Sequence, residues 1–180
     1  MKQQKIKSTF CLVILAFLFS LNTNAQQIKI HYLSDTITGF NQLISKFKNK
    51  IVYVDYWATW CSPCRQELRD VKAIKKFEDF AVKNDIVILY VCVDNNGSKW
   101  RSFINENHLK GYHLLTNLKL DTDTKSKFSF YENRRGKLKK GFYIPRHLII
   151  DQEGMVADSM AVDRRNPKLY TELQNLIGKH

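Results

Sequence analysis

Ile51 to Cys64 reads Ile-Val-Tyr-Val-Asp-Tyr-Trp-Ala-Thr-Trp-Cys-Ser-Pro-Cys, an apolar run broken by one acid and closed by a C-x-x-C pair. Ile86 to Val93, IVILYVCV, carries no charged side chain at all. Such near-continuous runs are typical of central parallel strands covered on both faces. Between them Leu68, Val71, Ile74, Phe77 and Ala81 recur at three- and four-residue spacing, with Lys, Arg, Glu and Asp in the gaps. That spacing predicts one amphipathic helix. Strand, helix and strand make a βαβ unit, with the cysteine pair where the first strand hands over to the helix.

Outward from this unit the pattern continues. Trp100, Phe103 and Ile104 predict a second helix over roughly 98–108, followed by an irregular linker to about residue 143 with a strand at His113 to Leu115. Arg146 to Asp151 and Met155 to Met160 read as an antiparallel pair joined by Gln152-Glu153-Gly154, where the glycine can take positive φ. Asn166-Pro167 is an N-cap followed by a first-turn proline, Leu169, Leu173, Leu176 and Ile177 give a helical face, and Gly178 stands where that helix would stop. The fold class is therefore α/β. At 180 residues the chain makes one domain, and 44% hydrophobic residues with only 7 Gly and 3 Pro argue against disorder and collagen-like repeats. No internal repeat, low-complexity tract or glycine-rich phosphate loop is present.

The first 25 residues differ in kind. Lys2, Lys5 and Lys7 precede an almost wholly apolar run from Phe10 to Leu21, and Thr23-Asn24-Ala25 offers small residues at a cleavage position. We read 1–25 as an export signal, 26–39 as a short extension and 40–180 as the domain. A twelve-residue helix rises about 18 Å, short of the roughly 30 Å hydrocarbon core of a bilayer. Cys11 lies at the start of the apolar run and lacks the setting of a lipid-attachment site. Without the signal, 26 Lys and Arg remain against 17 Asp and Glu, or +9. A basic balance permits nucleic acid or anionic surfaces as partners, but export to a periplasm or envelope exterior argues against nucleic acid. Three cysteines remain, Cys61, Cys64 and Cys92, and an odd count reads most simply as one pair and one free thiol.

A helix N-terminus presents unpaired N–H groups and partial positive charge, which favours a thiolate at Cys61. An unperturbed thiol is only about 3% ionised at pH 7, so a modest fall in pKa multiplies the nucleophile about tenfold. Cys64, three residues on, could resolve a mixed disulfide formed at Cys61. A static disulfide, a zinc half-site and a haem attachment site are the competing readings. Zinc requires a second Cys or His pair that Cys92 and the five histidines do not supply, and haem attachment requires a His where Arg65 stands.

The segment Val54 to Cys64 resembles the active-site segment of thioredoxin-fold proteins. Glu67, the Ile144-Pro145 step, the Asp-Gln-Glu-Gly hairpin and the Asn-Pro cap narrow the resemblance to exported thiol-disulfide oxidoreductases of the TlpA/ResA type, over roughly residues 40–178. It implies a thioredoxin-like fold, a central mixed sheet of four or five strands flanked by helices. It also implies a redox-active Cys61–Cys64 disulfide, with Cys61 as nucleophile, Cys64 as resolving thiol, Asp55 as proton acceptor and Glu67 beside the pair. Independently, an acid inside an apolar strand is desolvated, which favours its protonated form and suits a proton acceptor. The resemblance further places Trp60, Ile144 and a cis Pro145 at a groove for substrate backbone. It implies a monomer with no cofactor and no metal, whose partners are disulfide-bearing proteins and a thiol protein, membrane-bound or soluble, that supplies electrons. A binding or metal-carrier module without redox activity is the rival reading.

The sequence departs from that family in places. Lys125 to Gly141, with Arg134, Arg135, Lys137, Lys139 and Lys140, is longer and more basic than the usual link, and reads as a solvated loop. Arg146 stands where a small hydroxyl residue is common. Cys92 reads as a buried, inert thiol whose face alternation cannot assign. His147 reads as a core or groove-lining histidine.

Overall fold

The computed structural model describes residues 28–178, so the export-signal reading of 1–25 and Cys11 with it lie outside the described residues. The main sheet contains β1 (Ile30–Tyr32), β2 (Val52–Trp57), β3 (Val87–Cys92), β4 (Gly111–Leu115), β7 (Arg146–Ile150) and β8 (Val156–Ala161), in the spatial order β1-β4-β3-β2-β7-β8. The first four are mutually parallel, β7 runs antiparallel to β2, and β8 runs antiparallel to β7 at the sheet edge. Six strands thus form the sheet, against the four or five that the sequence predicts. The added strand is β1, three residues of mixed polarity (IHY) paired only with β4, too short to show a periodicity.

The helices are α1 (Phe40–Ile44, extended by a 3-10 turn at Ser45–Phe47), α2 (Ser62–Leu68), α3 (Val71–Lys83), α4 (Gly97–Glu106), α5 (Leu118–Phe128) and α6 (Pro167–Ile177). The single helix that the spacing predicts from Leu68 to Ala81 is two, α2 and α3. The Asp70 side chain accepts the Ala73 N–H at 3.0 Å and starts a new helix, and Val71, which fits the apolar spacing, is exposed. The linker expected to be irregular also folds. It contains α5, capped by Asn117 on the Leu120 N–H, and a separate hairpin of β5 (Phe130–Arg134) and β6 (Lys137–Gly141). Neither has the long apolar stripe that marks a core element, which is why composition alone hides them.

Strand alternation divides the core into two layers. Tyr53, Asp55 and Trp57 of β2, Ile88, Tyr90 and Cys92 of β3, and His147 and Ile149 of β7 share one face. The apolar members of that set pack with residues of α2, α3, α4 and α6. Val52, Val54, Tyr56, Leu89, Val91, Leu148 and Ile150 face α1 and α5 on the other side. Both faces of β2 are covered and all six of its residues are buried, as its composition requires. At Gly111, with φ +138°, a Cβ would lie 2.7 Å from the Ile88 carbonyl oxygen, so only glycine lets β4 approach β3 this closely. The 151–155 turn uses Gly154 at φ +82°, as its position in the hairpin predicts.

His113 of β4 is fully buried, stacked on Tyr90 with ring centroids 4.8 Å apart, and its Nε2 lies 2.8 Å from the Leu109 carbonyl oxygen. Burial pushes its pKa down to about 4. Below pH 6.5 the unfolded chain therefore takes up a proton at this site that the folded chain refuses until about pH 4. Stability is present above pH 6.5 and is lost as pH falls through that window. Unfolding free energy, measured by urea titration, should drop by about 2 kcal/mol more between pH 7 and pH 5 in the wild type than in His113→Phe.

Candidate active site

Cys61 is the N-cap of α2, with φ −79° and ψ 104°, and its Sγ lies 3.3 Å from the Cys64 backbone N–H that points at it. Cys61 and Cys64 are joined as a disulfide, and both are buried, at 5% and 1% exposure. Ser62 and Pro63 open the helix, where the missing proline N–H costs nothing. Trp60, immediately before the pair, is exposed.

The loop carrying the pair is held from two sides. The Thr59 N–H donates to Asp94 Oδ2 at 3.1 Å, the Thr59 hydroxyl donates to the same oxygen, and Arg65 Nη1 donates to the Thr59 carbonyl at 2.6 Å. Burial opposes the charge of Asp94, but these bonds and the Asn95 and Asn96 N–H groups outweigh it and hold its carboxyl below the usual carboxylate range. Neither Asp94 nor Arg65 stands out in the sequence, where one is a loop acid and the other a helix-surface base.

Opposite this loop, the β2–β7 register pairs Asp55 with His147 and Tyr56 with Arg146. Pro145 immediately precedes the last pair of this register, where β2 leaves the sheet for the cysteine loop. The Ile144–Pro145 peptide bond is cis, and both residues are partly exposed. Arg146 turns away from this edge. Its Nε donates to the Ser159 carbonyl at 2.6 Å and Nη2 to the Phe128 carbonyl at 3.2 Å, and its guanidinium lies over the Phe130 and Phe142 rings. It ties the base of the β5–β6 hairpin to β8. That hairpin exposes Tyr131 and Leu138 on one face, among the basic residues of the segment.

On the face of the sheet that packs against the pair lies a cluster of buried charge. Asp55 is 1% exposed and is paired with Arg164, itself 1% exposed, whose Nη1 also donates to the Tyr90 hydroxyl at 3.2 Å. Burial works against the guanidinium, but Tyr90, Asp55, Tyr53 and Glu67 together raise its pKa. Glu67, at 7% exposure, lies one turn past Cys64 and 3.3 Å from Arg165 through its Oε1. His147 stands between the two acids, with Nε2 3.2 Å from Glu67 Oε2 and 3.6 Å from Asp55 Oδ1. Its ring stacks on Tyr53 at 5.5 Å. The sequence places Asp55 and Glu67 near the cysteines but takes Asp55 as a lone desolvated acid. Arg164 is the missing partner. In Asp163-Arg164-Arg165-Asn166 nothing separates a buried arginine from a solvated one, and only the fold brings it under β2.

Cys92, beside Trp57 in the β2–β3 register, is fully buried and free, and burial pushes its thiol up to about 12. Under native reducing conditions at pH 8, iodoacetamide should leave Cys92 unmodified while Cys61 reacts. Cys92 should become reactive only when denaturant is added, as read by mass spectrometry.

The Redoxin family profile matches residues 24–173. A solution structure of a Bacteroides vulgatus protein described as a candidate thiol-disulfide oxidoreductase superposes with a TM-score of 0.56 at 28% identity, covering 75% of this chain and 78% of that one. The thioredoxin-like protein YneN of Bacillus subtilis is 30% identical over 69 residues, 38% of this chain and 39% of the relative. A thioredoxin of Coprinus comatus is 43% identical over 58 residues, 31% of this chain and 47% of the relative. The chain thus spans less than half the length of either curated relative. With a C-x-x-C disulfide at a helix start, a cis-proline strand beside it and a family match over most of its length, the chain belongs to the Redoxin family and has the thioredoxin-like fold.

Proposed function

We propose that the chain is a thiol-disulfide oxidoreductase acting outside the cytoplasm, which reduces disulfides of exported proteins. The observation that carries this reading is the Cys61–Cys64 disulfide capping α2, with the Cys64 N–H directed at Cys61 Sγ. That N–H favours charge on Cys61 once the pair is reduced, and an ionised thiol is the attacking species. Thiol-disulfide oxidoreductase is also the description of the Bacteroides vulgatus neighbour.

In the reduced protein the Cys61 thiolate attacks a substrate disulfide and expels one substrate thiolate. The Cys64 thiol then gives up its proton, attacks Cys61 Sγ and releases the second substrate thiolate. Two electrons pass from the cysteine pair to the substrate, and a donor dithiol protein returns them. Trp60, which is exposed, and the partly exposed Ile144 and Pro145 are the residues this reading assigns to substrate contact. A substrate segment laid along Ile144 in extended conformation would bring its disulfide to Cys61. Asp55 and Glu67 lie on the buried side, where the Cys64 proton must go. Residues 1–25 would direct export and be removed, leaving the domain in the periplasm or at the envelope exterior.

Reduction of insulin by dithiothreitol, followed by turbidity, tests the assignment. The wild type should accelerate it, Cys61→Ser should return it to the uncatalysed rate, and Cys64→Ser should accumulate a mixed disulfide through Cys61. Acceleration that survives Cys61→Ser would overturn the reading.

A further inference from the structure

In the exchange read above Cys64 gives up a proton, and Glu67, one turn further along α2, belongs to a buried acid-base cluster. The resemblance nominates Asp55 to hold that proton, but Arg164 already occupies that carboxylate in the core. Protonating Asp55 would leave a fully buried guanidinium without its counter-charge. Glu67 is in a different position, because the arginine it meets, Arg165, is half exposed and is shared with Asp163 through bonds of 2.8 and 3.2 Å. Two buried carboxylates therefore face one wholly buried cation. The imbalance is one negative charge, and the group placed between the two acids is His147.

Its position is specific. His147 is 5% exposed, its Nε2 lies within 3.2 and 3.6 Å of the two carboxylates, and that atom makes no hydrogen bond among the described residues. A buried ring nitrogen left unbonded between two acids is costly when neutral and gains two charge partners when protonated. The groups facing it are Asp55 and Tyr53 from β2, Glu67 from α2 and Asp163 from the loop before α6, with Arg164 and Arg165 of that loop paired in turn with Asp55 and Glu67. From β8 its register partner is Ala161, which does not titrate.

We propose that His147 is a positioning residue of the redox site, storing the proton exchanged by Cys64 through Glu67. This rests on the thiol-disulfide exchange reading above. In the resolving step the S–H bond of Cys64 breaks, its proton passes by way of the Glu67 carboxylate to His147 Nε2, and the new thiolate forms the S–S bond with Cys61 Sγ. The substrate sulfur that leaves takes the electron pair of the broken mixed disulfide. The imidazolium then loses its proton to the departing thiolate or to solvent. When a donor dithiol reduces the pair, His147 takes up a proton from the donor thiol or from solvent and passes it by way of Glu67 back to Cys64. Asp55, held by Arg164, is the second acid beside His147.

Proton storage coupled to the redox state has a reciprocal signature: the state of the cysteines must change the proton affinity of His147. The test is an NMR titration of the His147 imidazole in labelled wild-type protein, once oxidised and once reduced with excess dithiothreitol. The proton affinity of His147 should differ about fivefold or more between the two states. Equal midpoints would overturn the inference. A second arm follows single-turnover reduction of an aromatic disulfide probe across pH 5–9. His147→Gln should slow release of the second probe thiol about tenfold or more at pH 7 and remove the inflection expected of the wild type, leaving the first release, which depends on Cys61, within about twofold. A His147→Gln profile that matches the wild type would likewise overturn it. Wild-type protein that never turns over the probe would remove both this inference and the exchange reading. Turnover with equal midpoints removes this inference alone.

Discussion

The contact on which the site depends is the buried pairing of Asp55 with Arg164. A carboxylate in the middle of β2, between strands on both sides and helices on both faces, is tolerable only with a counter-charge. Arg164 supplies it from 109 residues further along the chain, reaching under Tyr53, Tyr90 and Phe77, whose rings surround the guanidinium. The last helix is therefore tied to the central strand by more than apolar packing. A buried pair of this kind is a poor source of net stability, yet losing one partner typically costs about 3–5 kcal/mol because the other charge is stranded. The pair thus fixes where α6 docks, and with it the loop that carries Asp163 and Arg165 to Glu67 and His147.

Geometry at the cysteines follows from a second constraint. Thr59 is held by Asp94 through both its N–H and its hydroxyl, and by Arg65 through its carbonyl. Asp94 follows β3, and Arg65 lies on α2, so neighbouring elements define the short path from β2 into the helix. The sulfur of Cys61 is set at the helix start by backbone bonding on either side of it, including its own N–H to the Ala58 carbonyl at 3.1 Å. On the opposite side β7, in register with β2, brings Pro145 to the same edge. Preorganisation of this sort places a reactive sulfur without requiring the loop to reorder during exchange.

Much of this was legible in the residues because local chemistry dictated it. The two apolar runs became β2 and β3, Asn166-Pro167 capped α6, and the Ile144-Pro145 bond is cis. What the sequence hid depended on distant partners. Three residues at Ile30–Tyr32 become a strand only because β4 offers an edge. Leu118–Phe128 is helical with a weak apolar stripe because Asn117 caps it and Asp123 accepts the Phe40 N–H at 2.7 Å. Arg146 stands out in the sequence only as an unusual residue after Pro145 and Arg164 not at all, and burial of either is a property of the assembled core. The same holds for His147, which gains significance only when Glu67 and Asp55 converge on it.

The central claim is that Cys61 and Cys64 act as one two-electron couple while Cys92 stands apart. Equilibration of the protein against graded dithiothreitol redox buffers, with acid quench, denaturation and alkylation, measures this directly. The account predicts a single two-electron transition in which the thiols of Cys61 and Cys64 appear together, with Cys92 reduced throughout. A pair that shows no reversible transition, or a transition that enlists Cys92, would contradict it.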